Sequence, residues 1–330
     1  MSILPVSLTF AANYSPNLPK LKPIQQITSH LLMVRPAHFG YNEETARNNA
    51  FQTLDESLTP KQIQQEAIRE FDGFVERLRA KGVDVIVVED TDTPVKPDAV
   101  FPNNWVTFHQ DGRVVTYPMN AQTRRLERRE DVLETLGERF NMGAHLRFEH
   151  YEEMEMYLEG TGSLILDRPN HVAYACLSPR TNEHLLDDFC DKLGYEKVAF
   201  IAVDGNGQEI YHTNVMMALG ETFVVICLDS VRAKGERERL LRKFTDTEKE
   251  VIEISLEQMM AFAGNMLQVR SQDGTPYLVM SEQAYQSLRP AQVEQIKKHS
   301  EILYSPLYTI EKYAGGSARC MMAEIFLPEQ

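Results

Sequence analysis

One succession of elements recurs five times along this chain at a period of about fifty residues, and a repeat of that length narrows the choice of folds more than any other feature of the sequence. Each unit reads as a short apolar strand, an amphipathic helix, a second apolar strand, and a turn of small or amide residues that opens a third strand. The first runs from LLMVRP through a helix around Gln62–Lys81 and VDVIVVED to FPNNWVTF, the second from VVTYP through RRLERREDVLETLGERF to LEGTGSLILD. HVAYACL, NEHLLDDFCDKLG, KVAFIAV and YHTNVMMAL make the third; FVVICL, GERERLLRKF, EVIEI and FAGNMLQV the fourth; PYLVM, PAQVEQIKKH, EILYS and GGSARCMMAEIFL the fifth. The turn residues Asn104, Thr161, Asn214, Asn265 and Ser317 stand 57, 53, 51 and 52 positions apart.

Apolar side chains within the helices keep helical spacing, as in Ile68, Phe71, Val75 and Leu78 or Leu185, Leu186, Phe189 and Leu193. A unit of this size cannot bury its own apolar face, whereas five units closed into a ring do so, with helices outside and turns converging on the axis. The expectation is an α/β fold of five pseudo-symmetric repeats spanning 28 to 328, one domain over 1–330, after an irregular, proline-punctuated lead-in over 1–25. A doubly wound sheet alternates strands and helices in the same way, but neither GxGxxG nor a P-loop accompanies the alternation here.

With 330 residues, 43% of them hydrophobic, the chain has material for a large core. No apolar run reaches membrane-spanning length, and the N-terminus lacks a basic n-region and an apolar h-region, so neither a membrane partner nor a secretory signal is expected. Cys176, Cys190, Cys227 and Cys320 form neither a disulfide framework nor a CxxC pair and read as reduced thiols in a cytoplasmic protein. A formal charge of −14 opposes nucleic-acid binding. Without a metal-ligand cluster or nucleotide fingerprint, no cofactor and no metal are expected; the partner is a small molecule, and homo-oligomerisation stays open.

Convergent turns would bring together Asp98, Asn103 and Asn104, then Glu159, His212 and Asn214, Asn265, and finally Arg319 and Cys320. A cysteine, a histidine and a carboxylate are the parts of a thiol nucleophile with its base and orienting group. Singly each has a plainer reading: a buried small hydrophobe for a cysteine, a satisfied core histidine, a solvated glutamate. Cys320 follows GGSAR, where flexible backbone and a basic side chain suit an accessible thiolate; the same glycines also suit a tight turn into a buried final strand.

These motifs resemble those of the guanidino-group-modifying, or pentein, superfamily of five-bladed β/α propellers. PDAVFPNNWV is similar to the dimethylarginine dimethylaminohydrolase stretch PD-x-VF-x-ED-x-V, and LEGTGSLIL to its catalytic carboxylate turn. LSPRTN matches LSxRTN, YHTNVMM occupies the catalytic histidine position, and GGSARCMM resembles the arginine deiminase segment that ends in the nucleophile. Within the superfamily the chain looks most like the bacterial citrulline-utilisation hydrolases, an amidinotransferase-like, arginine-deiminase-related group. The resemblance implies Cys320 as nucleophile, His212 as proton shuttle and Glu159 as anchoring carboxylate. It further implies Arg124 and Arg180 on a substrate α-carboxylate, Asp98, Asn103, Asn104 and Asn214 in substrate binding, and a lid over Phe39–Thr45.

The family pattern carries Glu-Asp where this chain has Asn103 and Asn104. A carboxylate there answers a cationic guanidinium, while an amide donates to and accepts from a neutral urea. The departure points to citrulline, hydrolysed to ornithine, ammonia and CO2. Arginine deiminase or dimethylarginine hydrolase activity, amidino transfer to an amine, and an inert binding propeller are the alternatives.

Overall fold

A computed structural model describes residues 23–53 and 57–330. Of the lead-in expected over 1–25, only Pro23, Ile24 and Gln25 lie within the described residues, as irregular chain.

The strands, in chain order, are β1 (His30–Arg35), β2 (Asp84–Glu89), β3 (Val106–Phe108), β4 (Val114–Thr116), β5 (His145–Arg147), β6 (Ile165–Asp167), β7 (Val172–Cys176) and β8 (Glu196–Phe200). They continue with β9 (Met217–Leu219), β10 (Phe223–Ile226), β11 (Glu250–Glu253), β12 (Leu267–Arg270), β13 (Pro276–Ser281), β14 (Glu301–Ser305) and β15 (Ala323–Glu324). They form five three-stranded sheets, β15-β1-β2, β3-β4-β5, β6-β7-β8, β9-β10-β11 and β12-β13-β14. In every sheet the central strand pairs antiparallel on one side and parallel on the other. A parallel neighbour requires a crossover. The helices Pro60–Ala80, Glu130–Gly137, Glu183–Leu193, Lys234–Asp246 and Pro290–Lys297 supply it, one per sheet.

Local chemistry accounts for the helices. Thr59 and Gln62 form a reciprocal capping box, with Pro60 at the first helical position. Asn182 caps the Leu185 N–H, Gly194 ends that helix in the left-handed region, and Leu185, Leu186, Phe189 and Leu193 between them are buried against the sheet. The basic run from Arg124 to Arg129, expected to continue as one helix to Phe140, breaks into Gln122–Arg125 and Glu130–Gly137. Arg128 is drawn to the Tyr117 carbonyl and Glu152, Arg129 to Asp131 and the Glu89 carbonyl, and these opposed partners leave no straight path.

The phase of the repeat differs from the sequence reading. The third strand of each unit joins the first two strands of the next, so the turn lies between sheets instead of closing one. The strand opened by the last turn, β15, returns to pair with β1, Leu31 opposite Glu324 and Leu32 opposite Ala323. The five turns therefore precede the first strands of five sheets, and all five marker residues are buried.

Candidate functional site

The turns lean on one another through side chains. The Asn103 carbonyl accepts from the Thr161 hydroxyl, Thr213 Oγ1 donates to the Ser163 carbonyl at 2.6 Å, and Asn265 Nδ2 donates to the Asn214 carbonyl at 3.0 Å. Asp98, Asn104, Arg124, Arg180, His212 and Cys320 consequently line one cavity.

Cys320, only 5% exposed, sits in the helical turn Ala318–Met321. Two amides reach its sulfur, Asn265 Nδ2 at 3.2 Å and Asn214 Nδ2 at 3.4 Å. Asn265 Oδ1 accepts the Arg319 N–H, which fixes that amide with its donor toward sulfur. Paired N–H donors suit an anionic sulfur. Arg319 itself, expected beside the thiol, turns its guanidinium to the Met322 carbonyl and Glu324.

His212 Nε2 lies 2.8 Å from Glu159 Oε2, and Glu159 is fully buried. Burial raises the Glu159 carboxyl, but Arg180, the bond to His212 and Arg124 outweigh it and bring it to about 2. Burial lowers His212 to about 4 against the pull of Glu159, with Arg180 and Arg124 adding to the fall. The resting pair is thus a carboxylate and a neutral imidazole. An ionised carboxylate only accepts, so Nε2 carries the proton and Nδ1 is the free base. Gly162 makes this packing possible: a Cβ there would lie 2.3 Å from Asn104 Nδ2 and 2.8 Å from His212 Nδ1.

Around this pair the two expected carboxylate-binding arginines are already engaged. Arg124 donates to both oxygens of Glu127 at 2.9 Å and to Asn104 Oδ1 at 3.0 Å. Arg180 donates to Asn48 and to the Thr45 carbonyl, faces Glu159 Oε2 at 3.6 Å, and lies over the Tyr211 ring at 4.9 Å. Asn104 Nδ2, Asp98 Oδ1 and Asn214 Oδ1 are buried without a hydrogen-bond partner among the described residues, unmet capacity of the kind a polar ligand satisfies. Asn103 is not brought to the cleft; its amide turns to Thr161. Sequence reasoning gave Glu127 no role, although its position three residues after Arg124 was a readable signal, and it placed Asn265 among the convergent turns without assigning it to the thiol.

The segment Phe39–Thr45 reaches this cavity through Thr45. Asn42 caps the short helix Glu43–Ala46 and donates to Asp98 Oδ2 at 2.7 Å, while Thr45 and Asn49 line the cleft. The free volume is about 20 Å³, room for a water molecule and no more.

Behind Cys320, Gly315 adopts φ +64° with Asn49 packed where a Cβ would stand, and the Ser317 hydroxyl donates to Glu311 at 2.6 Å. Burial pushes the Glu311 carboxyl up from 4.5 to about 7. A carboxyl raised on folding gives stability that is complete below its unfolded value and is lost as pH rises through the folded one. Thermal melts should therefore show the midpoint falling between about pH 5 and pH 8, less steeply in Glu311→Gln. Parallel slopes for the two proteins would remove Glu311 as a contributor.

The remaining thiols are buried, and burial pushes Cys176 and Cys190 up to about 12 and Cys227 to about 11. Among the described residues no group of three or more His, Cys, Asp or Glu side chains is placed to hold a metal ion, and no helix is long and apolar enough to cross a membrane.

The family described as N,N dimethylarginine dimethylhydrolase, eukaryotic, matches residues 35–327. No curated protein matches the chain. Among solved structures, apo ArgZ, an arginine dihydrolase from the ornithine-ammonia cycle in cyanobacteria, superposes with a TM-score of 0.70 at 16% identity, over 91% of this chain and 41% of that one. The N-terminal domain of ArgZ bound to product gives 0.68 at 18% identity over 91% and 99%. A dimethylarginine dimethylaminohydrolase variant, as its adduct with S-methyl-L-thiocitrulline, gives 0.61 at 16% identity over 90% and 99%. The chain thus spans about two-fifths of full-length ArgZ and nearly all of its N-terminal domain. At these identities the likeness is one of fold, a mixed α/β architecture of five small three-stranded sheets.

Proposed function

This chain belongs to the dimethylarginine dimethylhydrolase family, hydrolases acting on guanidino carbon–nitrogen bonds, and we propose that its Cys320 attacks the terminal carbon of a free amino acid, citrulline foremost. The observation that carries the reading is the sulfur held by two amide donors in the same cleft as the His212–Glu159 pair. Residues 28–328 form one catalytic domain, and the pairing of β15 with β1 supports closure of the five sheets into a five-bladed β/α propeller.

The chemistry proceeds from the atoms present. His212 Nδ1 takes the thiol proton; the thiolate adds to the ureido carbon, and His212 returns the proton to the departing nitrogen, which leaves as ammonia. The S-linked carbamoyl group then accepts water activated by His212. Cys320 is released, and the resulting carbamate breaks down to ornithine and CO2. Glu159 balances the imidazolium in both halves. Arg180, at the cleft edge, takes the substrate α-carboxylate once the Thr45–Asn48 segment lifts, with Arg124 behind it.

Asn104 selects the head group. Its oxygen is committed to Arg124, so Nδ2, without a partner among the described residues, is left as a donor for a ureido oxygen, which a guanidinium lacks. A specific observation favours a second reading: buried Asp98 and Glu159 near the same cleft suit a cation, so arginine enters the same site and is hydrolysed first at its guanidino group. Product analysis separates the two, since arginine then yields ornithine without accumulating citrulline. In Asn104→Asp, citrulline turnover should fall and arginine binding improve, a change of about tenfold or more in the ratio of kcat/KM values. A ratio that does not move would remove Asn104 as the selector.

A further inference from the structure

The five turns open the first strands of the sheets, so the far ends of those strands meet on the opposite side of the molecule, where His109, Arg168, Arg270 and Ile325 follow or end β3, β6, β12 and β15. They line a cavity of about 890 Å³, a size typical of small-molecule sites and far larger than the catalytic cleft.

Of its charged side chains, Asp273 is held by the Ser271 hydroxyl and the Thr275 N–H, and others are ion-paired. Arg113 pairs with Asp111, Arg270 with Glu221, and Glu329 with Arg139. Arg168 is only 4% exposed, and among the described residues no carboxylate comes within ion-pairing distance of it. The neighbouring Asp167 is turned to Asn170 and Lys249. The guanidinium lies 4.0 Å above the Phe326 ring and beside the Tyr195 hydroxyl, and all three line the cavity. A buried guanidinium without a counter-charge is costly unless an anion completes it. We propose that this cavity is a second ligand site, in which Arg168 binds the carboxylate or phosphate of a small organic anion while Phe326 and Tyr195 pack its body. The planar fork of Arg168 matches either head group, and stacking on an aromatic face leaves its edge available for them.

Thermal shift and calorimetry on the full chain test this with phenyl phosphate, benzoate and inorganic phosphate, and with neutral benzamide as the uncharged control. Saturable binding of phenyl phosphate or benzoate, weakened roughly tenfold or more in Arg168→Met and not competitive with the hydrolysed substrate, is the expected result. Binding of inorganic phosphate alone would make the site one for free anions, contrary to the proposal of an organic ligand. If Arg168→Met does not fold, Gln272→Trp, at the exposed rim, should abolish binding by filling the mouth. Equal binding of benzamide, no saturable binding at millimolar concentration, or binding lost only when the catalytic cleft is occupied would overturn the assignment. None of these outcomes depends on which amino acid Cys320 attacks.

Discussion

Cys320→Ser should keep its thermal midpoint within a degree or two of the parent and lose turnover by about 10,000-fold, the scale on which removal of a covalent nucleophile acts. The side chain is buried among Asn214, Asn265 and the turn Ala318–Met321, and an oxygen of similar reach accepts from the same two amides, so packing survives. What is lost is the soft anion that adds to the substrate carbon, because a serine hydroxyl stays protonated beside a neutral imidazole. The measurement is kcat by ammonia release, with a melt on the same preparation. Mass spectrometry of the parent protein quenched during turnover should find the added mass on Cys320. Burial holds Cys176, Cys190 and Cys227 as thiols; an adduct on any of them, or a serine variant within tenfold of the parent, would remove Cys320 from the role.

Much of this arrangement is legible in the sequence alone, for a physical reason. Strands such as Val172–Cys176, buried along their whole length, and helices with a single apolar stripe leave a periodic trace whatever they pack against. The partner of a strand leaves no such trace, because pairing is a contact between distant segments; hence the third strand of each unit was placed one sheet too early. The same distinction runs through the site. Glu159 and His212 each stand two residues before the marker of their turn, which the spacing indicates, whereas Cys320 stands three after Ser317. Asn103 and Asn104 are adjacent in one tight helical turn and point to different neighbours, Thr161 and the cleft, and no composition rule separates them. The grip of Glu127 on Arg124, and the contact of Arg180 with Thr45 and Asn48 more than a hundred residues away, depend on rotamers that only packing decides.

Glu159→Gln should reduce kcat by about 100- to 10,000-fold with little change in fold, the range covered by general acid–base catalysis and by loss of a carboxylate that orients a histidine. The parent carboxylate receives the Asn120 N–H on one oxygen and His212 Nε2 on the other. A glutamine keeps the first contact by presenting its carbonyl to Asn120, and that leaves an amide N–H facing His212. Nε2 must then accept, so the proton moves to Nδ1, the nitrogen needed as base. The variant also removes the negative charge that balances the imidazolium, leaving Arg180 and Arg124 to oppose it, so His212 falls further below its already lowered value of about 4. Both effects act on the charged intermediate and spare the bound substrate, so KM should change far less than kcat. Stability answers separately. A carboxyl lowered to about 2 contributes stability that is present above its unfolded value of 4.5 and is lost as pH falls through 2. The glutamine variant should therefore melt lower than the parent at neutral pH and converge with it in acid. A glutamine variant that keeps kcat within tenfold, or one in which KM rises while kcat holds, would place Glu159 in substrate binding and leave His212 to act without it.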